Sequence, residues 1–209
     1  RVVRRQKVCN KQTYSIQHQY GANNVDKPLT WAEIDLDAYA HNIRELRRIT
    51  HPDAILMAVV KANGYGHGAA EVAREALKQG AAWLGVARIN EAVDLRRAGL
   101  EAPILVLGYT PAELAQQLIE FDLTQAVYGY TNAEKFSSEA QKLGKKISVH
   151  IKIDSGMGRL GLVTPALLPE KEIRESNPDP VAAVKKIAKL KGLEIQGVFT
   201  HFATADSAD

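Results

Sequence analysis

Sulfur is scarce in this chain: one cysteine, Cys9, and two methionines in 209 residues. A lone cysteine cannot close an internal disulfide, which excludes the disulfide-stapled secreted class and fits a reducing compartment. Aromatic residues make up only 6%. The basic residues therefore have no aromatic-rich sheet or helical stripe to work with, which argues against nucleic-acid binding. No apolar run approaches the length that spans a bilayer, and there is no secretory h-region. The His-x-His and His-Glu-x-x-His spacings are missing, which argues against a metal centre. What remains is an ordinary globular composition, 45% hydrophobic and 24% charged, long enough to bury one good core.

The net charge of +3 is unevenly placed. Residues 1–30 hold six Arg and Lys against Asp26, a net of +5, so the remainder sums to −2. The basic character belongs to a polar leader, residues 1–29, expected to be disordered or foreign to the globular body. The first residue is not Met, and the sequence stops at Ala208-Asp209, soon after a strand-like segment. Both ends suggest a piece of a longer polypeptide.

From Trp31 onward, strand-like and helix-like segments alternate. Strands are predicted over Ile55–Val60, Trp83–Ala87, Pro103–Leu107, Leu123–Tyr128, Ile147–Ile153 and Glu194–Phe202. Most are continuous apolar runs, as expected of parallel strands buried on both faces. A helix is predicted over Asp37–Ile49, with Leu36, Tyr39, Ile43 and Leu46 on one face. Another runs through Ala69, Val72, Ala73, Ala76 and Leu77, and Gly80 stops it. Thr110-Pro111-Ala112-Glu113 and Thr131-Asn132-Ala133-Glu134 read as capping boxes. Asp179-Pro180 opens a last helix that Gly192 ends. Residues 164–179 read as an irregular insertion. Repeated βα units leave an open doubly wound sheet or a (β/α)₈ barrel; six strands do not close the latter.

Three strand ends carry polar residues. The octapeptide Lys61-Ala62-Asn63-Gly64-Tyr65-Gly66-His67-Gly68 follows the apolar run Ile55–Val60. A lysine held there is partly desolvated. Desolvation disfavours the ammonium form and makes the amine a better nucleophile toward an aldehyde. The same lysine could instead simply snorkel to solvent. The second end is His150-Ile151-Lys152-Ile153-Asp154-Ser155-Gly156-Met157-Gly158-Arg159. Lys152, Asp154 and Arg159 cannot all be solvated on a buried strand, so at least one faces a polar cavity or an ion pair. The third holds His201, which could be an acid/base, a metal ligand, a flat surface for an aromatic cofactor, or a buried structural residue. In parallel α/β folds such ends converge on one mouth.

The segments AVVKANGYGHG, KIDSGMGRLG and GVFTHFATAD resemble, in that order, the signatures of the alanine racemase family, fold-type III enzymes that use pyridoxal 5′-phosphate. TWAEIDLDAYAHNIRELRR and APILVLGYT are similar to its flanking segments. The resemblance covers residues 30–209. It implies a (β/α)₈ TIM-type barrel, here incomplete at about six of eight units, without the family's C-terminal β domain. It implies that Lys61 holds the cofactor as a Schiff base and is one of two catalytic bases. Tyr65 would bind the phosphate, Arg159 the phenolic oxygen, and Leu107 and His201 would border the cofactor. Lys152 matches a position often carbamylated in the family. The implied reaction interconverts L-alanine and D-alanine in a cytoplasmic homodimer, supplying D-alanine for peptidoglycan, with no nucleic-acid or membrane partner and no metal. The second base would be a tyrosine from the partner subunit's C-terminal domain, so this chain alone is expected to be inactive. Two other readings stay open: a single-domain barrel that binds pyridoxal phosphate without racemising, and a racemase of another amino acid such as serine.

Overall fold

The structure, a computed structural model, describes residues 11–14, 32–164 and 179–207, with side chains for the latter two segments. The expected insertion at 164–179 falls almost wholly outside them, as does most of the leader. Within the leader, strand β1 (Lys11–Tyr14) pairs antiparallel with β2 (Ala32–Asp35). Those four residues depart from the expectation of a disordered leader.

Helix α1 (Leu36–Ile49) begins where the Asp35 side chain accepts from the Ala38 N–H at 2.9 Å. Asp37 lies in its first turn and Arg47 and Arg48 in its last, each complementing the helix dipole. The chain then enters β3 (Leu56–Val59), a tight turn at 61–65, and α2 (Ala69–Lys78). Next come β4 (Ala81–Val86), α3 (Ile89–Arg97), β5 (Ile104–Val106), a 3₁₀ turn (Ala112–Leu114) and α4 (Ala115–Glu120). The run continues through β6 (Thr124–Val127), α5 (Tyr130–Lys142), β7 (Ile147–Asp154) and the two-residue β8 (Leu162–Val163). It closes with α6 (Pro180–Ile187) and β9 (Leu193–Phe199).

Strands β3, β4, β5, β6 and β7 lie side by side in chain order, all parallel. Strand β7 also pairs with β9 along its length and with β8 at its end. This is an open parallel half-barrel of βα units, with every strand of this larger sheet running the same way. All four residues of β6 and all three of β5 are buried, as parallel strands covered on both faces must be. The core between sheet and helices centres on Phe136, Leu84, Ile104, Ile147, Ile151 and Ile187.

All six predicted strands are present. Helix α3 was not anticipated, nor was β8. Neither expected capping box forms as read. Thr131 sits inside α5, whose N-terminal flank is the extended Gly129, φ −173°. Thr110 precedes Pro111 and a single 3₁₀ turn, which has no side-chain cap. Asp179 caps α6 as expected, accepting from the Val181 and Ala182 N–H groups.

Candidate functional site

Parallel register puts the carboxyl ends of β3, β4, β5, β6, β7 and β9 on one rim. Lys61 stands on that rim, two residues beyond β3. The backbone that follows is unusual. Ala62, Asn63, Gly64 and Tyr65 all have positive φ, from 52° to 62°. Four residues in succession thus form a left-handed turn, which costs roughly 1–2 kcal/mol for each non-glycine residue. Three of the four are non-glycine, so the turn persists only because its surroundings hold it.

Those restraints are visible. The Gly64 N–H donates to the Val60 carbonyl at 2.8 Å. Asn63 Oδ1 accepts from the Ala69 N–H at 2.9 Å, capping α2 from outside the helix. His67 Nδ1 lies 3.0 Å from the Gly64 carbonyl. One carboxylate oxygen of Glu91, on α3, accepts from the Ala62 N–H at 2.7 Å. Its other oxygen accepts from the Ala87 and Arg88 N–H groups at 2.7 and 3.0 Å. Gly64 is tightly required, because a Cβ there would lie 2.8 Å from Val72 Cγ2.

The turn leaves Tyr65 exposed at 60%, with its ring centroid 5.8 Å from Lys61 Nζ. Leu107 follows β5 and packs toward Gly85, beside Met57 and Val59. On β7, Lys152 is only 8% exposed and Asp154 6%. Burial pushes the Lys152 amine below the usual lysine range, and the positive charges of Arg159 and Lys61 push the same way, against Asp154. Lys61, Lys152 and Arg159 therefore share one electrostatic neighbourhood. Asp154 serves the turn after β7: its Oδ1 accepts from the Gly156 and Gly158 N–H groups at 2.9 and 3.1 Å. Those bonds hold its carboxyl below the usual range. Arg159 is exposed on that turn. Ser155 Oγ lies 2.6 Å from Thr200 Oγ1, which donates to the Ile153 carbonyl, joining the ends of β7 and β9. His201 stands just beyond, exposed.

Below this rim lies an aromatic layer. His150, two residues before Lys152 on the same face, lies tilted between Trp83 and Phe199, with ring centroids 5.2 Å and 6.4 Å away. Its Nε2 has no hydrogen-bond partner among the described residues, and burial lowers its pKa. Gly197 makes room for it, since a Cβ there would lie 2.9 Å from the imidazole.

The arrangement can take an anion that carries an aldehyde. A strand-end amine can bond to the aldehyde, and a neighbouring phenol and guanidinium can donate to anionic oxygens. The cations that disfavour charge on Lys152 favour a bound anion. The nearest buried carboxylate, Asp154, is directed to backbone amides and does not cancel them.

Residues 34–209 match the family described as alanine racemase, N-terminal domain. The chain belongs to the alanine racemase family. It is 50% identical over 182 residues to the alanine racemase of Desulfosudis oleivorans, covering 86% of this chain and 45% of that protein. With the Methanococcus maripaludis alanine racemase it shares 48% over 179 residues, again 86% of this chain and 45% of the relative. The chain thus spans about half the length of the alanine racemases it matches. The fold agrees: the alanine racemase of Clostridium difficile 630 superposes with a TM-score of 0.69 at 39% identity, over 83% of this chain and 42% of that one. A histidine racemase from Leuconostoc mesenteroides superposes with a TM-score of 0.72 at 30% identity, over 83% and 43%.

Against that family frame, the site residues expected from the sequence sort into two groups. Lys61 and Tyr65 are in contact, and Lys61, Lys152 and Arg159 are coupled electrostatically. Leu107 and His201 lie on the same rim, after β5 and β9. Glu91 was missed, because Arg88 stands where a Ser or Thr would have announced a capping box.

Proposed function

We propose that the protein is an alanine racemase that uses pyridoxal 5′-phosphate, with Lys61 as the cofactor-holding lysine and one of its two bases. The observation that carries this reading is the placement of Lys61: a strand-end amine, fixed by a strained turn, facing Tyr65 and sharing a cationic rim with Lys152 and Arg159. When bound, the cofactor supplies an electron-withdrawing ring that acidifies the Cα–H of an attached amino acid.

Lys61 Nζ would hold the cofactor and would move a proton at Cα on one face. The Tyr65 hydroxyl would donate to the phosphate. The Arg159 guanidinium would donate to the phenolic oxygen, and Leu107 and His201 would border the ring. Lys152 is carbamylated in this reading: its neutral amine attacks carbon dioxide, an N–C bond forms, and the released proton goes to solvent. The resulting carboxylate holds Arg159. Burial favours the neutral amine that this step needs. Racemisation also needs a proton donor on the opposite face of Cα, assigned here to a tyrosine of a partner subunit in a homodimer. The protein acts in the cytoplasm and supplies D-alanine for peptidoglycan. No described helix is long and apolar enough to cross a membrane.

The test is conversion of L-alanine to D-alanine by the protein with added pyridoxal phosphate, beside L-serine and L-histidine. We expect alanine to be preferred and Lys61→Ala to abolish turnover. A preference for another amino acid, as in the histidine racemase of the same fold, overturns the substrate assignment. Turnover that survives Lys61→Ala overturns the role of Lys61.

A further inference from the structure

We infer that Glu91 is a positioning residue that sets the direction of Lys61; this rests on the reading of Lys61 as the cofactor-holding lysine. Glu91 belongs to α3, not to either strand that it serves. One carboxylate oxygen takes the Ala62 N–H at 2.7 Å, and the Lys61–Ala62 peptide is the one that carries Lys61 into the left-handed turn. The other takes the Ala87 N–H at 2.7 Å and the Arg88 N–H at 3.0 Å, just past the end of β4. A single side chain thereby joins the carboxyl ends of two neighbouring strands.

The placement has a chemical logic. Ala62, at φ 52° and ψ 50°, has only a methyl side chain, which cannot hydrogen-bond to this backbone. Its N–H points to α3 and not to an intrahelical partner. Bonds from a carboxylate are charge-assisted and short, which makes them stronger than amide–carbonyl bonds. Rotation of the Lys61–Ala62 peptide would swing the lysine away from Tyr65, so a clamp on the Ala62 N–H fixes where Nζ points. Gln in place of Glu removes the charge and one of the two acceptor oxygens, while keeping the shape.

The experiment has two arms, and both use Glu91→Gln with Asp94→Asn as a control on the same helix. In the first, backbone amide hydrogen exchange is followed by NMR on the cofactor-free protein. We expect the Ala62 and Ala87 amides to be protected in the wild type. Glu91→Gln should speed both by about tenfold or more, the loss expected for one charge-assisted hydrogen bond. The β5 amides of Leu105 and Val106 should not change. A purely structural role would instead speed exchange across the neighbouring strands. In the second arm, pyridoxal 5′-phosphate is titrated, fixed with borohydride, and the label on Lys61 is quantified. Glu91→Gln should weaken this labelling by about tenfold, with Asp94→Asn unchanged. Glu91→Asp, which keeps the charge one methylene short, should move both readouts the same way and replaces Glu91→Gln should that variant not fold. Wild-type exchange at Ala62 as fast as in an exposed loop, or variant labelling equal to wild type, overturns the inference. Failure of the wild type itself to label at Lys61 overturns the underlying reading instead, and the exchange arm still reports on the Glu91 clamp.

Discussion

Lys152 is the residue at which burial and charge are most sharply opposed. It is nearly fully covered, its ammonium is disfavoured by burial and by Arg159, and Asp154 only partly offsets this. Its folded pKa therefore lies below the unfolded one. The unfolded chain binds the proton more readily between those two values, so stability rises with pH through that window and the penalty is fully present below the folded value. Measured free of carbon dioxide, so that the amine stays uncarbamylated, Lys152→Met should raise the thermal midpoint of the cofactor-free protein at pH 7 and flatten the rise on the alkaline side; a lower midpoint would count against it. Asp154 has the opposite consequence. Its folded pKa is depressed by the Gly156 and Gly158 amides, so its contribution is present above the carboxylate range and is lost as pH falls through the folded value. Thermal melts of Asp154→Asn across acid pH should show a lower midpoint at neutrality and a shallower loss below it. Lys61, Lys152 and Asp154 were legible from sequence because a charge at the end of an apolar strand must face something polar. Glu91 was not, because its partners are backbone amides 29 and 4 residues away, and spacing alone does not reveal a clamp of that kind.

At the scale of elements, the segment after β3 is where local preference and fold conflict most. Glycines at 64, 66 and 68 signal a turn, but nothing in KANGYGHG says that Ala62, Asn63 and Tyr65 adopt the left-handed region as well. Asn63 tolerates that conformation better than most residues and also caps α2 through Ala69. Asn63→Ala removes both benefits and should cost about 1–2 kcal/mol by denaturant unfolding; a change near zero would mean that the turn is held without the cap. Helix α3 escaped notice because Arg88 gives no capping signal, although Ile89, Ala92, Val93 and Leu95 form its buried face. The capping box expected at Thr131 failed because α5 starts at Tyr130, which puts Thr131 already in the helix. Strand β8 has only two residues, too few to show any periodicity.

For the whole molecule, the parallel half-barrel was readable because strand-like runs recur at βα spacing and are apolar throughout. Its register was not, since pairing depends on contacts between distant segments. The core behaves as one unit around the fully buried Phe136, and Phe136→Ala should cost about 3–5 kcal/mol. The sheet is open: among the described strands, β3 and β9 each pair on one side only. Val198 on β9 is 62% exposed, and Phe202 just beyond it 72%. Exposed apolar edges of this kind invite pairing with another chain. The 209-residue chain should therefore associate in a concentration-dependent way by light scattering, and Val198→Lys should reduce the association; a strictly monomeric wild type would contradict this. All of these features matter to function through one result, the rim that gathers Lys61, Tyr65, Lys152 and Arg159. The most direct test is to incubate the protein with pyridoxal 5′-phosphate, reduce with borohydride and map the modified peptide by mass spectrometry. The account predicts a single label on Lys61, lost in Lys61→Ala. Labelling spread over surface lysines, or none at Lys61, would contradict it.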